Sequence, residues 1–207
     1  PVVAHLDHGY TYEDCAEALD SGFTSLMYDG SQKPLGQNIE ETARIAEMAH
    51  AAGISCEGEI GFVGYDAGES SEGTDPDEAA RFARDTGVDA MAISVGNVHL
   101  QQDHQGGLDE GRIRAIEALC DVPLVIHGGS GVPHVQRTAL ARGSNICKFN
   151  IGTELRMAFG ASLRKAVAAD RDAFDRVGIL RQVEPDIEAA ARTVIRGLAP
   201  AEVPAAR

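Results

Sequence analysis

The 207-residue sequence contains no tryptophan, and aromatic residues make up only 5% of it. Positive charge is also scarce: 18 lysines and arginines stand against 32 aspartates and glutamates, so the net charge is −14 at pH 7. This deficit argues against nucleic acid and against anionic membrane surfaces as partners, because both attract basic proteins. It does not exclude an anionic small-molecule substrate, since a bound metal and local N–H groups set the field inside a pocket.

The sequence has no apolar run long enough to cross a bilayer, and no signal peptide opens it. The four cysteines are widely spaced and form neither a CxxC pair nor a disulfide-rich pattern. These absences predict a cytoplasmic protein with reduced, mostly buried cysteines. Hydrophobic residues make up 43% of the chain, which suits a single α/β domain over residues 1–207. The cysteines are Cys15, Cys56, Cys120 and Cys147.

Strand and helix patterns alternate about six times along the chain. The segments predicted as strands are residues 2–6, 23–28, 54–60, 88–95, 122–126 and 146–149. Side chains suited to capping, at Thr11, Asn38 and Asp75, stand where three helices are expected to begin. A last amphipathic helix is predicted at residues 185–198. Such alternation is typical of right-handed βαβ crossovers and a parallel sheet.

Each predicted strand is followed by a cluster of polar residues. In a (β/α)8 TIM barrel these positions converge on one face, where barrel enzymes place their chemistry. Six strands do not close that barrel, so we expect two N-terminal βα units, about 70–80 residues, to be absent from this chain. A doubly wound open sheet is the alternative, but residues 7–9 lack its dinucleotide-binding fingerprint.

Three histidines directly follow predicted strands, namely His8, His99 and His127. Three imidazoles with an open fourth position make a catalytic zinc site, and the fold would bring the three together. A structural role remains the simpler interpretation of any one of them alone. The other histidines, His5, His50, His104 and His134, lack this placement.

Carboxylates stand at the same strand ends. Asp7 precedes His8, and a carboxylate beside a metal-bound carbonyl can move a proton during carbon–carbon cleavage; a capping role is the alternative. Asp29 and Glu59 are candidates for a second metal site or for a tether to His8. The polar loop at residues 61–73, with Asp66, Glu69 and Glu72, is expected to be a lid or binding element.

A glycine-rich turn follows His127. Its glycines allow backbone N–H groups to approach an anion closely, and Ser130 adds a hydroxyl donor. Asn150 and Thr153 follow the next strand, beside the N-terminus of a predicted helix, and can complete a phosphate site. Barrels often bind phosphate at their last two strands.

These motifs together resemble the class II, zinc-dependent fructose-bisphosphate aldolases. The resemblance covers residue 1 to about residue 165, and residues 150–156 are more similar to the tagatose-bisphosphate branch. Its motifs lie at residues 6–9, 29–31, 57–59, 96–99, 127–131 and 150–154. The resemblance implies an aldolase that reversibly cleaves a ketose 1,6-bisphosphate to dihydroxyacetone phosphate and an aldehyde, as a homodimer or homotetramer.

The resemblance also implies a role for each motif residue. His8, His99 and His127 would bind the catalytic zinc. Asp7 would transfer the proton at the C4 hydroxyl, and Asp29 and Glu59 would hold a second divalent metal. The groups that would bind the phosphate, near a monovalent Na⁺ or K⁺ ion, are Gly128, Gly129, Ser130, Asn150, Gly152 and Thr153.

Two positions depart from the family pattern. Leu100 stands where the family usually has a glycine, and residues 64–69 lack a Gly-Gly-Glu pattern, so the second proton-transfer group stays open. Two other functions stay open as well: another metal-dependent barrel lyase or epimerase, and a non-catalytic barrel subunit. The intact Asp7 and the three histidines argue against the subunit. The sequence does not choose among ketose phosphates.

Overall fold

The computed structural model describes residues 2–64, 70–102 and 107–199, and in these ranges strands and helices alternate as predicted. The strands are β1 (His5–Gly9), β2 (Ser25–Tyr28), β3 (Ser55–Ile60), β4 (Ala90–Ile93), β5 (Leu124–Ile126) and β6 (Ile146–Phe149). The helices are α1 (Tyr12–Asp20), α2 (Leu35–Ala51), α3 (Pro76–Thr86), α4 (Glu110–Glu117), α5 (His134–Gly143), α6 (Thr153–Ala169) and α7 (Arg176–Leu198), and a short 3₁₀ turn spans Gly129–Gly131.

The six strands form one parallel sheet in the order β1-β2-β3-β4-β5-β6, each paired with its neighbours in sequence. The sheet curls until side chains of its two edge strands meet. Lys148 Nζ on β6 lies 3.4 Å from His5 Nε2 on β1. The α/β class and the parallel sheet are confirmed as a six-stranded half-barrel; closure into eight strands stays a prediction.

Alternation along the strands divides the buried residues between two faces of the sheet. The main apolar core lies between the sheet and the helices and includes Leu26, Ile45, Phe82, Ile113 and Leu124. On β3, Gly58 faces that layer so closely that a Cβ there would lie 2.8 Å from the Phe82 ring. A smaller apolar cluster of Met27, Ala92 and Val125 occupies the concave face.

Two of the three predicted helix starts are confirmed, and one is wrong. Thr11 forms a capping box with Asp14, and Asp75 caps α3 with its side chain. Asn38 does not cap α2, which begins three residues earlier, after Pro34. Its buried amide instead donates to the Glu59 carbonyl at 2.9 Å, so it joins α2 to β3.

The prediction that the last helix begins at Pro185 is also wrong. Helix α7 begins at Arg176, capped by Asp175, and Pro185 lies inside it. A proline inside a helix removes one backbone hydrogen bond, but packing against α6 compensates. Val183 is buried there, and Ser162 Oγ donates to Asp186 at 2.6 Å.

Two further predictions from the sequence concern the cysteines and membrane-spanning segments. Cys15 and Cys56 are buried, Cys120 is half-buried and Cys147 is exposed, and all four are free thiols. Within the described ranges, no helix has both the length and the apolar character that crossing a membrane requires.

Candidate functional site

His8, His99 and His127 converge at the carboxyl ends of the strands. One ring nitrogen of each lies within 4.8 Å of the corresponding nitrogens of the other two. His8 Nε2 and His127 Nδ1 are 3.1 Å apart. The ring centroid of His99 lies 5.4 Å from that of His8 and 5.7 Å from that of His127. Three imidazole nitrogens pointing at one small volume are the donor set of a metal site.

Irregular backbone places these histidines. His8 lies in the last residues of β1, not after the strand as predicted, where the register shifts between Leu6 and Gly9. Its φ of 56° is in the left-handed region, which is uncommon for a residue with a side chain. Asn97 links the ends of β4 and β5, because its amide donates to the Ile93 and His127 carbonyls at 3.2 and 3.0 Å.

Asp29 fixes the His8 ring. Its carboxylate lies 2.9 Å from His8 Nδ1 and accepts two hydrogen bonds from Ser31. Burial would raise the pKa of Asp29, but the hydrogen bonds from His8 and Ser31 hold it below its usual range. Burial would lower the pKa of His8, but Asp29 and the charge of Asp7 raise it above its usual value. Asp29 therefore acts as the tether that was one of its two predicted roles.

Glu59 is the carboxylate whose surroundings most favour a bound cation. It is 1% exposed, and among the described residues its Oε2 has no hydrogen-bond partner. That oxygen lies 3.7 Å from His127 Nδ1. Burial, together with the charge of Asp29, raises the pKa of Glu59 well above its usual range.

An unpaired buried carboxylate oxygen is costly, and a bound cation would satisfy it. Glu59 also forms a second possible ligand group with His8 and Asp29. The protonation of His99 agrees with this, because burial and the neighbouring rings lower its pKa to about 4 and leave it neutral near pH 7. The residues present therefore fit a divalent metal ion.

Asp7 lies at the rim of this cluster. Its side chain is half exposed, 4.0 Å from His8 Nε2, and its Oδ1 accepts a hydrogen bond from Asn150 Nδ2 at 3.0 Å. It is thus close to the histidines and still open to a bound molecule. That is the placement a proton-transfer group requires.

A cavity of about 390 Å³ opens beside the histidines and Asp7. Five of the six predicted phosphate-binding residues line it: Gly128, Ser130, Asn150, Gly152 and Thr153. At Gly128 the φ is 64°, and a Cβ would lie 2.2 Å from the Val98 carbonyl oxygen, so only glycine fits. Ser130 Oγ accepts a hydrogen bond from the backbone N–H of Glu154.

Gly129 differs from the other five. It does not line the cavity, and its backbone N–H donates to the Asn150 carbonyl at 2.9 Å. Its own carbonyl accepts a hydrogen bond from Arg137. In this structure Gly129 joins the ends of β5 and β6, and its N–H is engaged within the protein.

Arg156 and Leu100 are among the residues of the cavity wall that carry no prediction as ligands. Arg156 has an exposed guanidinium that donates to Thr153 Oγ1 at 3.2 Å, and among the described residues no carboxylate forms an ion pair with it. Leu100 is 52% exposed and has a φ of 59°. A leucine with a backbone in the left-handed region is strained. Such strained residues are often found at binding sites.

The base of the predicted lid is ordered. Phe62 and Glu72 pair as an antiparallel bridge, and the His99 N–H donates to the Gly64 carbonyl at 2.8 Å, which ties the loop to the histidine cluster. Asp66 and Glu69 lie outside the described residues. The lid role stays a prediction.

The other histidines within the described residues do not belong to the three-histidine group, although His5 lines the cavity beside it. His5 lies in β1 and contacts Ser25, and His50 on α2 pairs with Asp89. His134 is the first residue of α5, and His104 is outside the described residues.

Glu57 carries no predicted role, although it lies in the motif at residues 57–59. Glu57 Oε1 lies 3.0 Å from His127 Nε2, and its Oε2 accepts a hydrogen bond from Lys148 at 2.7 Å. Burial would raise the pKa of Glu57, but His127 and Lys148 hold it below its usual range. The signal in the sequence was its spacing: two residues before Glu59 on a strand, it faces the same side of the sheet.

The fold and this site define a parallel α/β protein with a candidate metal centre and an anion-sized cavity at the carboxyl ends of its strands. A family model described as fructose-bisphosphate aldolase class-II matches residues 1–202. The chain therefore belongs to the class II fructose-bisphosphate aldolase family.

Individual relatives agree with this membership. The chain is 38% identical over 180 residues to the fructose-bisphosphate aldolase of Geobacillus stearothermophilus, which covers 84% of this chain and 62% of that protein. It is 41% identical over 179 residues to the 6-phospho-5-dehydro-2-deoxy-D-gluconate aldolase of Shouchella clausii, covering 84% and 60%. The chain thus matches less than two thirds of the length of these curated relatives.

A solved structure supports the fold. The crystal structure of the YdjI aldolase from Escherichia coli K12 superposes with a TM-score of 0.78 at 31% sequence identity. The match covers 96% of this chain and 69% of that chain.

Proposed function

We propose that the protein is a zinc-dependent aldolase that reversibly cleaves a ketose 1,6-bisphosphate to dihydroxyacetone phosphate and an aldehyde. One observation carries the proposal. Nitrogens of His8, His99 and His127 lie within 4.8 Å of one another, the unpaired Glu59 oxygen lies 3.7 Å from His127 Nδ1, and a cavity lined with anion-binding groups lies beside them. Family membership supports lyase chemistry on a phosphorylated sugar.

His8, His99 and His127 would hold the catalytic zinc, and Asp29 and Glu59 are the proposed ligands of a second divalent metal. Bound zinc supplies Lewis-acid stabilisation of the negative charge that develops on the substrate oxygens when the C3–C4 bond breaks. The uncharged His99 ring and the tether from Asp29 to His8 support this assignment.

Asp7 is the proposed proton-transfer residue. Its free carboxylate oxygen would take the proton from the C4 hydroxyl as the bond cleaves, and would return it to the aldehyde oxygen in the condensation direction. The hydrogen bond from Asn150 supports the role, because it holds the carboxylate at the cavity rim. Among the described residues no lysine lines this cavity, so no Schiff base is proposed.

The phosphate of the three-carbon product would occupy the cavity beside Gly128, Ser130, Asn150, Gly152 and Thr153, near a monovalent Na⁺ or K⁺ ion. Anchoring the phosphate holds the ketone in register with Asp7, and such positioning lowers the barrier of a bond-breaking step. Gly129 would contribute by joining the two strand ends that carry these groups.

The family also includes enzymes named for 6-phospho-5-dehydro-2-deoxy-D-gluconate, so the substrate is to be chosen by assay. The full-length protein would be tested with fructose 1,6-bisphosphate, tagatose 1,6-bisphosphate and that acid, following release of dihydroxyacetone phosphate. We expect one of the bisphosphates to be cleaved fastest. Activity should vanish after chelation and return with zinc.

Turnover that survives thorough chelation would contradict zinc dependence. If 6-phospho-5-dehydro-2-deoxy-D-gluconate is cleaved faster than either bisphosphate, it would be assigned as the substrate instead. If no substrate is cleaved in the presence of zinc, the non-catalytic subunit or another metal-dependent barrel reaction becomes the better explanation. We further propose that the protein is cytoplasmic and that it forms a homodimer or a homotetramer. Light scattering of the full-length protein measures its oligomeric state.

A further inference from the structure

Glu57 lies at the centre of a buried polar group beneath the proposed metal site. It is 3% exposed and projects from β3 into the concave face of the sheet. One carboxylate oxygen faces His127 Nε2 and the other faces Lys148 Nζ, at 3.0 and 2.7 Å. It does not line the cavity beside the histidines and Asp7.

The two nitrogens of His127 face different partners. Nδ1 points toward the histidine cluster, 3.1 Å from His8 Nε2, and Nε2 points away from it, toward Glu57. A neutral imidazole carries one N–H and one lone pair, and an ionised carboxylate only accepts. A neutral His127 ring whose Nε2 donates to the ionised Glu57 carboxylate therefore directs the lone pair of Nδ1 at the metal site.

We propose that Glu57 is a positioning residue that fixes the tautomer and ring orientation of His127 for metal binding, with Lys148 holding the carboxylate in place. The inference rests on the proposed function only in taking His127 as a metal ligand. The same construction recurs at His8, where Asp29 contacts Nδ1 and leaves Nε2 for the cluster. Carboxylates that orient metal-binding histidines raise metal affinity by this means.

Lys148 makes the consequence of Glu57→Gln specific. An ammonium group only donates hydrogen bonds, so the single oxygen of the new amide would turn toward Lys148. The amide NH₂ would then face His127 Nε2 and demand a lone pair there. The ring proton would move to Nδ1, the nitrogen that faces the metal site.

The full-length protein would be compared with Glu57→Gln and with Glu57→Gln/Lys148→Met. Zinc affinity is measured by chelator competition, and the His127 tautomer in the zinc-free protein by imidazole ¹⁵N chemical shifts. We expect Glu57→Gln to lose about 10- to 100-fold in zinc affinity, the range found when such partners are removed. Its His127 proton should shift from Nε2 to Nδ1.

The double variant should recover part of the lost affinity, because without Lys148 the amide is free to present its oxygen to His127. The matched control is Glu41→Gln, which also removes a carboxylate that pairs with a lysine, Lys33, and lies outside the histidine cluster. It should leave both readouts unchanged. A thermal unfolding scan of each zinc-free variant confirms that it is folded.

Three results would overturn the proposal: unchanged zinc affinity in folded Glu57→Gln, a wild-type His127 that carries its proton on Nδ1, or equal affinity losses in the single and double variants. None of these readouts requires turnover. Failure of the aldolase proposal would therefore appear as absent cleavage while the tautomer and zinc results still decide the role of Glu57.

Discussion

The three clustered histidines have different neighbours, and the pKa values of His8 and His99 shift in opposite directions. Asp29 raises the pKa of His8, whereas burial lowers the pKa of His99 to about 4. His127 is fully buried between Glu57 and the cluster. Each ring therefore presents a nitrogen to the same small volume, as a prearranged metal site requires.

Alanine substitutions at His8, His99 and His127 test the ligand assignment. Each variant should lose bound zinc, because two imidazoles do not complete the proposed site. Metal analysis of the purified full-length proteins measures this. His50→Ala, which removes a surface histidine paired with Asp89, should keep its zinc. Full zinc occupancy in His127→Ala would refute the assignment.

Asp7→Ala should retain zinc and fold but lose about 10²–10⁴-fold in cleavage rate, the usual contribution of a positioned acid–base group. Steady-state kinetics and metal content are measured together, with Asp85→Asn on the surface of α3 as the control. Near-normal turnover in Asp7→Ala would move the proton-transfer role elsewhere, first of all to the loop at residues 61–73.

The raised pKa of His8 predicts how acid acts on the site. A proton on His8 competes with the metal, and a pKa above 6.5 makes this competition begin at higher pH than for an ordinary histidine. Zinc affinity should therefore weaken as the pH falls from about 8 toward about 6. Asp29→Asn removes the charge that raises the pKa, so the onset should move to lower pH.

The control for this titration is Asp89→Asn, which removes the carboxylate paired with His50 on the surface. Its onset should match that of the wild-type protein. The same onset in Asp29→Asn and wild type would contradict the role assigned to Asp29.

At the scale of elements, the cavity proposed to bind phosphate is built where β5 and β6 end. The 3₁₀ turn at Gly129–Gly131 and the start of α6 meet through the hydrogen bond from the Glu154 backbone to Ser130. Arg156 lies one turn into α6 and, among the described residues that line the cavity, is the arginine or lysine that adds positive charge at this rim. Two neighbouring elements thus place polar groups on the wall of one cavity.

Isothermal titration with dihydroxyacetone phosphate and dihydroxyacetone tests this arrangement. The phosphorylated ketone should bind far more tightly, and Ser130→Ala should reduce that preference without loss of zinc. Arg156→Gln should weaken phosphate binding by about tenfold. This is the lower end of the contribution of a charge-assisted hydrogen bond, because the guanidinium is exposed to solvent. Equal affinity for the two ketones in the wild type would mean that the glycines form only a turn.

Arg164→Gln is the matched control for Arg156→Gln. Both arginines lie on α6 four residues after a glycine, Gly152 or Gly160, and their guanidinium groups approach those glycines similarly. Arg164 does not line the cavity, so its substitution should leave ketone binding unchanged.

At the scale of the molecule, the curled sheet brings residues distant in sequence into contact. Asn150 and Asp7 are 143 positions apart and hydrogen-bonded, as are Lys148 and His5. The histidine site therefore depends on the integrity of the core between sheet and helices.

Phe82→Ala tests how much this core contributes to the stability of the fold that carries the site. Phe82 is fully buried against Gly58 of β3, and removing such a ring typically costs about 3–5 kcal/mol of stability. Urea unfolding of the full-length, zinc-free protein should show this loss. Phe174→Ala, which removes a ring that is 96% exposed, should change stability by no more than about 0.5 kcal/mol. Similar losses in both variants would contradict the packing described.

Local patterns in the sequence determined most of the elements. The capping box at Thr11 and the capped, proline-led start of α3 were predictable because capping is a matter of neighbouring residues. Asn38 and Pro185 misled prediction, since each has the local signature of a helix start. In the structure, contacts with β3 and α6 outweigh that signature.

The sequence by itself also determined which residues stand at the strand ends, and hence the candidate ligands His8, His99 and His127. Only the tertiary structure decided that Glu57 contacts His127, that Asp29 contacts His8, and that the Gly129 N–H is engaged by Asn150. The physical reason is range. Periodicity and capping are set by residues a few positions apart, whereas the partner of each buried polar group is set by how the whole sheet curls.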